Sequence, residues 1–299
     1  MKRRIVVAGA SGLIGSAVVD ALRARGDTVV TLGRQSGGGA DAVWDPGRSQ
    51  LDPEILRGAD AVVSLNGAGI GDERWSVERK ALLRSSRIDS VGLLAETMAG
   101  MPRPPEVLVA ASATGYYGDT GDDLVDESAP NGYDFLALLC ADWEAAAGPA
   151  RHAGVRVVHP RSGIVLAPTG GALAPLLPIF KLGLGGPIGG GRQWWSWITL
   201  ADEVAAVLFL IDGDLSGPVN LVAPNPVPQK EFARALGAQL GRPAFLPAPR
   251  FAVNLRLGKE LAAAIGYASQ RVSPLVLTNA GFEFRDSQVQ DALASVFGS

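Results

Sequence analysis

The chain has 299 residues, of which 47 % are hydrophobic, enough for a sizeable packed core. Its 27 Lys and Arg residues nearly balance its 30 Asp and Glu residues, and no long run of one sign occurs. This balance argues against a nucleic-acid-binding arm and against a membrane-surface patch. We therefore expect a small molecule as the partner, with no nucleic acid and no membrane.

Cysteine and histidine are scarce in the chain. Cys140 has no second cysteine with which to form an internal disulfide bond, and His152 and His159 form no cluster with metal-ligand spacing. The apolar run after the basic start, residues 5–8, is too short for a signal peptide or a membrane span. We expect no metal site and a cytoplasmic location.

Short β-branched runs alternate with helical periods through the first 166 residues. Buried strands are predicted over 4–8, 28–32, 60–65, 106–111 and 155–159. Between the first two, apolar residues recur at helical spacing as far as Gly26, a typical helix end. This alternation predicts an α/β fold with a doubly wound parallel sheet and helices on both faces.

Three glycines follow the first predicted strand with the spacing G-x-x-G-x-x-G, in 9-GASGLIG-15, and open the first helix. Glycine permits a tight turn and the close approach of a pyrophosphate, and a helix N-terminus supplies free N–H groups. In this βαβ context the motif favours a dinucleotide site over an ordinary strand-to-helix turn. The predicted contacts are Gly9, Ser11, Gly12, Leu13, Ile14 and Gly15.

The end of the second predicted strand discriminates between two dinucleotides. An NAD site usually has Asp or Glu there to accept hydrogen bonds from the ribose hydroxyls, whereas this chain has Arg34. The nearest carboxylates, Asp27 and Asp41, lie at the wrong end of the strand or beyond the loop. A guanidinium pairs well with a 2′-phosphate, so we predict NADP(H) in preference to NAD(H). The alternative is that Arg34 is only a solvated loop residue.

The third predicted strand is followed by three small residues, Asn66, Gly67 and Ala68. They lie where a doubly wound sheet binds ligands, outside the carboxyl ends of its strands, so we expect them to line the adenosine half of the cofactor. On the next helix Lys80, Arg84 and Arg87 share one face. That face either serves phosphates or is simply solvated.

The strand predicted over 106–111 ends in 111-ASATGYYG-118, where a sheet delivers residues toward the nicotinamide. We place Ala111 and Ser112 at the cofactor. Ser112 and Thr114 are candidates for hydrogen bonds to a substrate oxygen. Ser112, Tyr116 and Tyr117 are the candidate catalytic residues, with packing at the sheet edge as the alternative for each tyrosine. Tyr133 is a further substrate-side candidate.

Arg161 follows the strand predicted over 155–159. We assign it to the cofactor site, because the neighbouring backbone is expected to hold the carboxamide end of the cofactor; an ion pair within the protein is the alternative. His159 is expected to be a strand-end residue with a satisfied hydrogen bond.

Beyond Pro168 the sequence becomes rich in glycine, proline and tryptophan. Helical segments are predicted after it, near 201–212, 228–240, 251–265 and 287–297. The loop 191-GRQWWSW-197 either closes over an apolar or planar substrate or joins this portion to the sheet, and Gln193 and Trp195 are the substrate-side candidates. We divide the chain into a dinucleotide-binding domain, 1–166, and a smaller helix-rich substrate cap, 167–299, and allow for sheet strands from beyond 166.

These motifs, with Trp44-Asp45-Pro46, Arg74-Trp75, Ser86-Arg87, 161-RSGIVLAPTGGAL-173 and 217-GPVNLVAPNPV-227, resemble an atypical branch of the extended short-chain dehydrogenases/reductases. The members of that branch are called epimerase family proteins, and the similarity covers nearly the full length. The resemblance implies a Rossmann domain of the NAD-dependent epimerase/dehydratase type, a C-terminal cap and an NADP(H) site that includes Arg87. Extended relatives often pair as homodimers through two long helices, for which the helices at 76–99 and 134–148 are the candidates; the sequence leaves the oligomeric state open.

The stretch 135-FLALLCADWE-144 sets this branch apart from ordinary dehydrogenases. Leu136 and Cys140 stand where the catalytic tyrosine and lysine belong. Leucine transfers no proton, and a thiol in an apolar helix has a raised pKa, so we expect a buried, inert Cys140. Thr199 replaces a histidine that the branch usually has before Asp202, and we keep Thr199 as a substrate-side candidate.

We therefore expect an NADP(H)-binding oxidoreductase or epimerase-like enzyme that acts on a small metabolite without the usual Tyr-Lys pair. Two alternatives remain open. One is an NADP(H)-binding regulatory or sensor protein without redox turnover, and the other is a non-redox cyclase or dehydratase on the same scaffold.

Overall fold

The computed structural model describes residues 2–35 and 38–298. The strands are β1 (Arg4–Ala8), β2 (Thr28–Gly33), β3 (Ala42–Val43), β4 (Ala61–Ser64), β5 (Val107–Ala110), β6 (Ser112–Ala113), β7 (Leu124–Val125), β8 (Arg156–Ser162), β9 (Ile164–Leu166), β10 (Trp194–Trp195), β11 (Trp197–Thr199), β12 (Gly217–Leu221), β13 (Val227–Pro228) and β14 (Arg271–Val272). The helices are α1 (Leu13–Arg25), α2 (Val77–Ala99), α3 (Phe135–Ala145), α4 (Gly148–His152), α5 (Leu177–Lys181), α6 (Leu200–Asp212), α7 (Gln229–Gln239), α8 (Arg250–Leu257), α9 (Lys259–Leu261), α10 (Leu275–Asn279) and α11 (Val289–Phe297). Short 3₁₀ turns occupy Pro46–Arg48, Pro53–Ile55 and Thr114–Tyr117, and a π-helical turn occupies Ala262–Tyr267.

The main sheet runs in the order β12-β8-β5-β4-β1-β2-β3, with β6 paired to β8, and every pairing is parallel. The strand order reverses beside β1, because the chain builds β2 and β3 on one side and returns to place β4 on the other. Such a reversal opens a crevice at the carboxyl ends of β1 and β4. The predicted doubly wound α/β fold is confirmed, and β12 comes from beyond residue 166 to complete the sheet.

Alternate residues of the strands feed two separate cores, because successive side chains of a strand point to opposite faces. Val6, Val62 and Leu108 face a layer that contains α2 and the end of α3. Val7 and Val63 face a layer that contains α1 and α6. The central strands are therefore buried on both faces, as their uninterrupted apolar sequences require.

The cap has a core of its own, built from α7, α11 and the short sheets that follow residue 163. Trp195 packs on Phe232 with ring centroids 5.1 Å apart, and Trp197 is fully buried. Two of the three clustered tryptophans therefore pack inside the core of the cap.

Two predicted helices differ in the structure. The helix predicted over 134–148 ends at Ala145, and a separate helix, α4, begins at Gly148, where Pro149 lacks the N–H that a continuous helix would need. The segment predicted over 251–265 is interrupted at Gly258, whose φ of +86° is incompatible with a right-handed helix. Within the described ranges, the helices lack the combination of length and hydrophobicity that a membrane span requires.

Asp202 joins α6 to the C-terminal segment. Thr199 caps α6, because its hydroxyl oxygen accepts a hydrogen bond of 3.1 Å from the N–H of Asp202. The Asp202 carboxylate in turn accepts hydrogen bonds from the N–H groups of Arg285 and Asp286, at 2.9 and 3.1 Å. One buried carboxylate thus anchors two elements.

Replacement of Asp202 by alanine is expected to lower the free energy of unfolding by about 2–4 kcal/mol, because two backbone N–H groups lose their acceptor in a buried site. Urea unfolding followed by circular dichroism measures the difference. Asp20→Ala, on the exposed face of α1, is the matched control and should change the stability by less than about 0.5 kcal/mol. Equal losses in the two variants would contradict the anchoring role.

Candidate functional site

The glycine-rich loop forms one wall of the crevice between β1 and β4. Gly9 has a φ of +83°, and a Cβ on Gly15 would lie only 2.1 Å from the carbonyl oxygen of Gly9, so neither position accepts a side chain without a shift. Gly12 caps α1 without a side-chain hydrogen bond. The first N–H groups of α1, those of Leu13 and Ile14, therefore remain available to an anion.

The loop after β4 forms the opposite wall. A Cβ on Gly9 would lie 2.6 Å from the nitrogen of Asn66, so the two loops touch. Ser86 of α2 holds this second loop through two hydrogen bonds: its carbonyl accepts from the Asn66 amide at 3.1 Å, and its hydroxyl accepts from the N–H of Ala68 at 3.0 Å. The structure thus brings the predicted residues of both loops together.

The basic face of α2 is occupied by contacts within the protein. Arg87 is buried, donates to the carbonyls of Leu83 and Ala68 at 3.1 and 2.9 Å, and lies on the ring of Trp143. Its guanidinium lies against Gly67, so Arg87 supports the loop of the crevice from behind. The other two cations of this face form ion pairs, Lys80 with Glu260 and Arg84 with Asp142.

Arg34 lies exposed directly after β2. No residue of the described ranges forms a hydrogen bond or an ion pair with its guanidinium. A cation at this end of the sheet, beside the glycine-rich loop, fits the chemistry of a 2′-phosphate.

A buried ion pair joins α3 to β8 at the carboxyl edge of the sheet. Arg161 donates to both carboxylate oxygens of Glu144, at 2.8 and 2.9 Å, and only 3 % of its side chain is exposed. Ser112 donates to the same carboxylate at 2.7 Å. Glu144 is the last residue of the FLALLCADWE stretch and was not among the predicted site residues; its partner is 17 positions away in sequence and becomes visible only in the structure.

Tyr117 extends this network toward the cap. Its hydroxyl accepts from Arg161 at 2.9 Å and donates to the side-chain oxygen of Asn220 at 2.7 Å. The N–H of Asn220 donates to Glu127 at 3.0 Å. Burial raises the pKa of Tyr117 to about 12. The hydroxyl of Tyr117 thus both donates and accepts a hydrogen bond within the protein, and it is hard to ionise. These properties favour a structural role over proton transfer.

Leu136 and Cys140 pack against the turn that follows β6. A Cβ on Gly115 would lie 3.5 Å from the Cβ of Leu136 and 3.9 Å from the sulfur of Cys140. Burial, followed by the nearby Glu144 carboxylate, raises the pKa of Cys140 to about 12. The thiol is thus buried and protonated, as expected from its apolar helix.

The remaining hydroxyl candidates differ in their contacts. Thr114 is buried and donates to the side-chain oxygen of Gln270 at 2.9 Å. Tyr116 is partly buried, and its ring lies on the guanidinium of Arg161 with 3.4 Å between Cζ and the ring centroid. Tyr133 is 95 % exposed, at the surface before α3.

The substrate-side candidates of the cap are largely engaged within it. The Gln193 amide donates to the carbonyls of Ile188 and Gly266, at 3.2 and 2.7 Å. Trp195 and Thr199 are 6 % and 1 % exposed. These contacts favour structural roles for the three residues, and their contact with a substrate stays a prediction.

His159 has the satisfied ring contacts expected for it, but it lies in the middle of β8 and not at the end of the strand. Its ring nitrogens lie 3.2 Å from the carbonyl oxygen of Ala110 and 3.0 Å from a guanidinium nitrogen of Arg151. Burial lowers its pKa, so the imidazole is neutral near pH 7.

Glu203 is a second buried carboxyl group at this edge. It lies in the first turn of α6, is fully buried, and accepts from the hydroxyl of Ser162 at 2.6 Å, while its other oxygen has no partner in the described structure. Burial raises its pKa to about 7. Its position beside Val204 and Ala205 on an apolar helix gave no sequence signal of this role.

A parallel sheet whose strand order reverses beside a glycine-rich loop and an open helix N-terminus defines a dinucleotide-binding protein of the Rossmann type. The profile of the "NAD dependent epimerase/dehydratase family" matches residues 5–221, and a "Domain of unknown function (DUF1731)" matches residues 248–296. The chain belongs to the NAD dependent epimerase/dehydratase family, and the resemblance inferred from its motifs is confirmed.

Relatives match along nearly their whole length. An epimerase family protein of Mycobacterium tuberculosis is 44 % identical over 291 residues, which cover 97 % of this chain and 96 % of that protein. Human epimerase family protein SDR39U1 is 35 % identical over 299 residues, covering 98 % of this chain and 99 % of that one.

Solved structures show the same architecture. The crystal structure of human SDR39U1 (isoform 2) with NADPH superposes with a TM-score of 0.89 at 32 % identity, covering 98 % of this chain and 99 % of that one. A Thermus thermophilus UDP-glucose 4-epimerase in complex with NAD shares the fold, with a TM-score of 0.74 at 21 % identity and coverage of 99 % of each chain.

Glu203→Gln is expected to stabilise the protein increasingly as the pH rises from 5 to 8. The folded protein binds the Glu203 proton more tightly than the unfolded chain, with a pKa of about 7 against 4.5. The stabilisation that this proton gives the wild-type protein is complete below pH 4.5 and is lost as the pH rises through 7, whereas glutamine does not titrate. At pH 8 the gain is on the order of 3 kcal/mol. Urea unfolding at several pH values measures it, with exposed Glu231→Gln as the matched control. A difference that does not depend on pH would refute the assignment.

Cys140 is expected to be inert toward a disulfide reagent such as 5,5′-dithiobis(2-nitrobenzoic acid) at pH 8, because the reacting species is the thiolate and the thiol is buried. Absorbance at saturation in denaturant should report one thiol per chain. Rapid reaction of the folded protein would contradict the packing of α3 described above.

Proposed function

We propose that the protein binds NADP(H) in the crevice between β1 and β4 and uses it for oxidation and reduction of a small metabolite, as an oxidoreductase or epimerase-like enzyme. The observation that carries this proposal is Arg34, an exposed cation without a partner in the described ranges, at the end of β2 beside the glycine-rich loop. The NADPH in the human SDR39U1 structure supports the same choice of dinucleotide.

Each part of NADP(H) has a suitable group in the crevice. The uncapped N–H groups at the start of α1 suit the pyrophosphate, and Arg34 suits the 2′-phosphate. The loop of Asn66, Gly67 and Ala68 is the wall for the adenosine half. The backbone after Arg161, which continues from β8 into β9, suits the nicotinamide end in this proposal. When bound, NADPH supplies the hydride, and the chain has to provide orientation, exclusion of water and a proton.

A regulatory protein that senses NADP(H) without turnover is the second candidate. The observation that favours it is the packing of Leu136 and Cys140, which removes the usual proton donor and its lysine from α3. The two proposals share the cofactor site and differ in whether bound NADPH is consumed.

Fluorescence titration with NADPH tests the shared part. The wild-type protein should bind NADPH more tightly than NADH, and Arg34→Ala should weaken NADPH binding by roughly 10- to 100-fold, the equivalent of one charge-assisted contact, while NADH binding stays unchanged. Arg103→Ala, an exposed arginine before β5, is the matched control and should leave both affinities as they are.

Two results would count against the proposal. Equal loss of NADPH and NADH affinity in Arg34→Ala would remove the 2′-phosphate assignment. Absence of NADPH binding by the wild-type protein would remove the cofactor site, and with it both candidate functions.

A further inference from the structure

The geometry points to Tyr116 as the residue that transfers the proton, with Arg161 as its positioning residue, so that a tyrosine–arginine pair replaces the tyrosine–lysine pair that α3 lacks. This inference rests on the proposed redox function and deepens it. Both residues lie at the carboxyl edge of the sheet, Arg161 within β8 and Tyr116 in the turn after β6.

The hydrogen bonds of the site single out Tyr116 among the clustered hydroxyls. Ser112, Thr114 and Tyr117 each have a side-chain acceptor within the protein, Glu144, Gln270 and Asn220 respectively.

A hydroxyl whose single proton is held by a buried acceptor has no proton to donate to a ligand. The hydroxyl of Tyr116 has no hydrogen-bond partner among the described residues, and its oxygen is not one of the fully buried unpaired polar atoms. It is therefore the free phenol of this cluster.

Arg161 is held rigidly against this phenol. Its Cζ lies 3.4 Å from the centroid of the Tyr116 ring, and 3 % of its side chain is exposed. Glu144 binds one edge of the guanidinium through two oxygens and Tyr117 binds another, so the face of the guanidinium remains for Tyr116. A fixed cation on the ring face stabilises the negative charge that forms on the phenol oxygen when the proton leaves.

The turn that carries Tyr116 also touches the helix position where ordinary dehydrogenases have their tyrosine. Gly115, its neighbour, approaches Leu136 to 3.5 Å, measured from a Cβ built on the glycine. The turn that carries Tyr116 and the helix position of the usual tyrosine are therefore neighbours in the fold.

The proposed reaction is the reduction of a carbonyl group by NADPH, with Tyr116 as the proton donor. The hydride forms a C–H bond at the carbonyl carbon and leaves oxidised NADP⁺. The carbonyl oxygen takes the proton of the Tyr116 hydroxyl, and the O–H bond of the phenol breaks. Water then reprotonates the phenolate beside Arg161. In the direction of oxidation the phenolate accepts the proton of the alcohol.

Chemical modification tests the placement without a known substrate. Tetranitromethane should nitrate Tyr116 and the exposed Tyr133 in the free protein and spare the buried Tyr117, as read by fragment mass spectra. Saturating NADP⁺ should reduce nitration of Tyr116 at least fivefold and leave Tyr133 unchanged. No nitration of Tyr116, or nitration that bound NADP⁺ leaves unchanged, overturns the inference.

Turnover tests the chemistry, with 9,10-phenanthrenequinone as a probe carbonyl and loss of NADPH absorbance as the readout. Tyr116→Phe should lower kcat by about 100-fold or more, since one positioned acid contributes on that order, and leave the Kd of NADPH within twofold. Tyr267→Phe is the matched control, because Tyr267 is also stacked on an arginine, Arg250, at 4.6 Å, but lies in the cap. It should retain the wild-type kcat.

Arg161→Lys tests the positioning role, since it keeps the charge and loses the planar fork that holds Glu144 and Tyr117. We expect a lower kcat with an unchanged Kd for NADPH, and a shift of the pH at which the rate is half-maximal.

Wild-type kcat in Tyr116→Phe overturns the inference even where Arg161→Lys does not fold. If the wild-type protein binds NADPH but does not reduce the probe, the nitration experiment alone decides. Failure of the wild type to bind NADPH refutes the proposed function instead.

Discussion

The bidentate ion pair between Glu144 and Arg161 is the interaction on which the arrangement of this site depends. It ties α3 to β8 across the carboxyl edge of the sheet, with both charges largely removed from water. Loss of one partner from such a pair typically costs 3–5 kcal/mol, on the order of a third of a domain's net stability, because the other charge remains buried. The pair also decides which hydroxyls of the site are occupied, since Ser112 and Tyr117 both bind to it.

The pair also accounts for the unusual α3. In this helix the positions of a proton donor and its lysine are filled by Leu136 and Cys140, which pack against Gly115 and bring no charge to the cleft. The helix still contributes to the polar site, one turn further along, through Glu144. Helix α3 lacks the tyrosine and lysine of ordinary dehydrogenases. Through Glu144 it instead holds Arg161, whose guanidinium lies on the ring of Tyr116.

The elements of the fold could be read from the sequence where a local pattern governs them. Uninterrupted β-branched runs indicated the central strands, and the glycine spacing indicated the turn into α1, because both patterns follow from backbone geometry. Some boundaries were missed. Gly258 interrupts a segment, 251–265, whose apolar spacing alone predicts a continuous helix. The helix predicted over 134–148 ends at Ala145, and the extent of β8 to Ser162 depends on its pairing with β12.

The sequence by itself determined the class of the protein and the elements on which the proposed cofactor site rests, since a glycine-rich loop, a basic residue after β2 and small residues after β4 are each local signals. Only the tertiary structure decided how the polar side chains pair. Glu144 with Arg161, Tyr117 with Asn220 and Thr114 with Gln270 join residues that are 17, 103 and 156 positions apart. Hydrogen-bond partners at such separations are chosen by the packing of strands and helices, and no local periodicity records that choice.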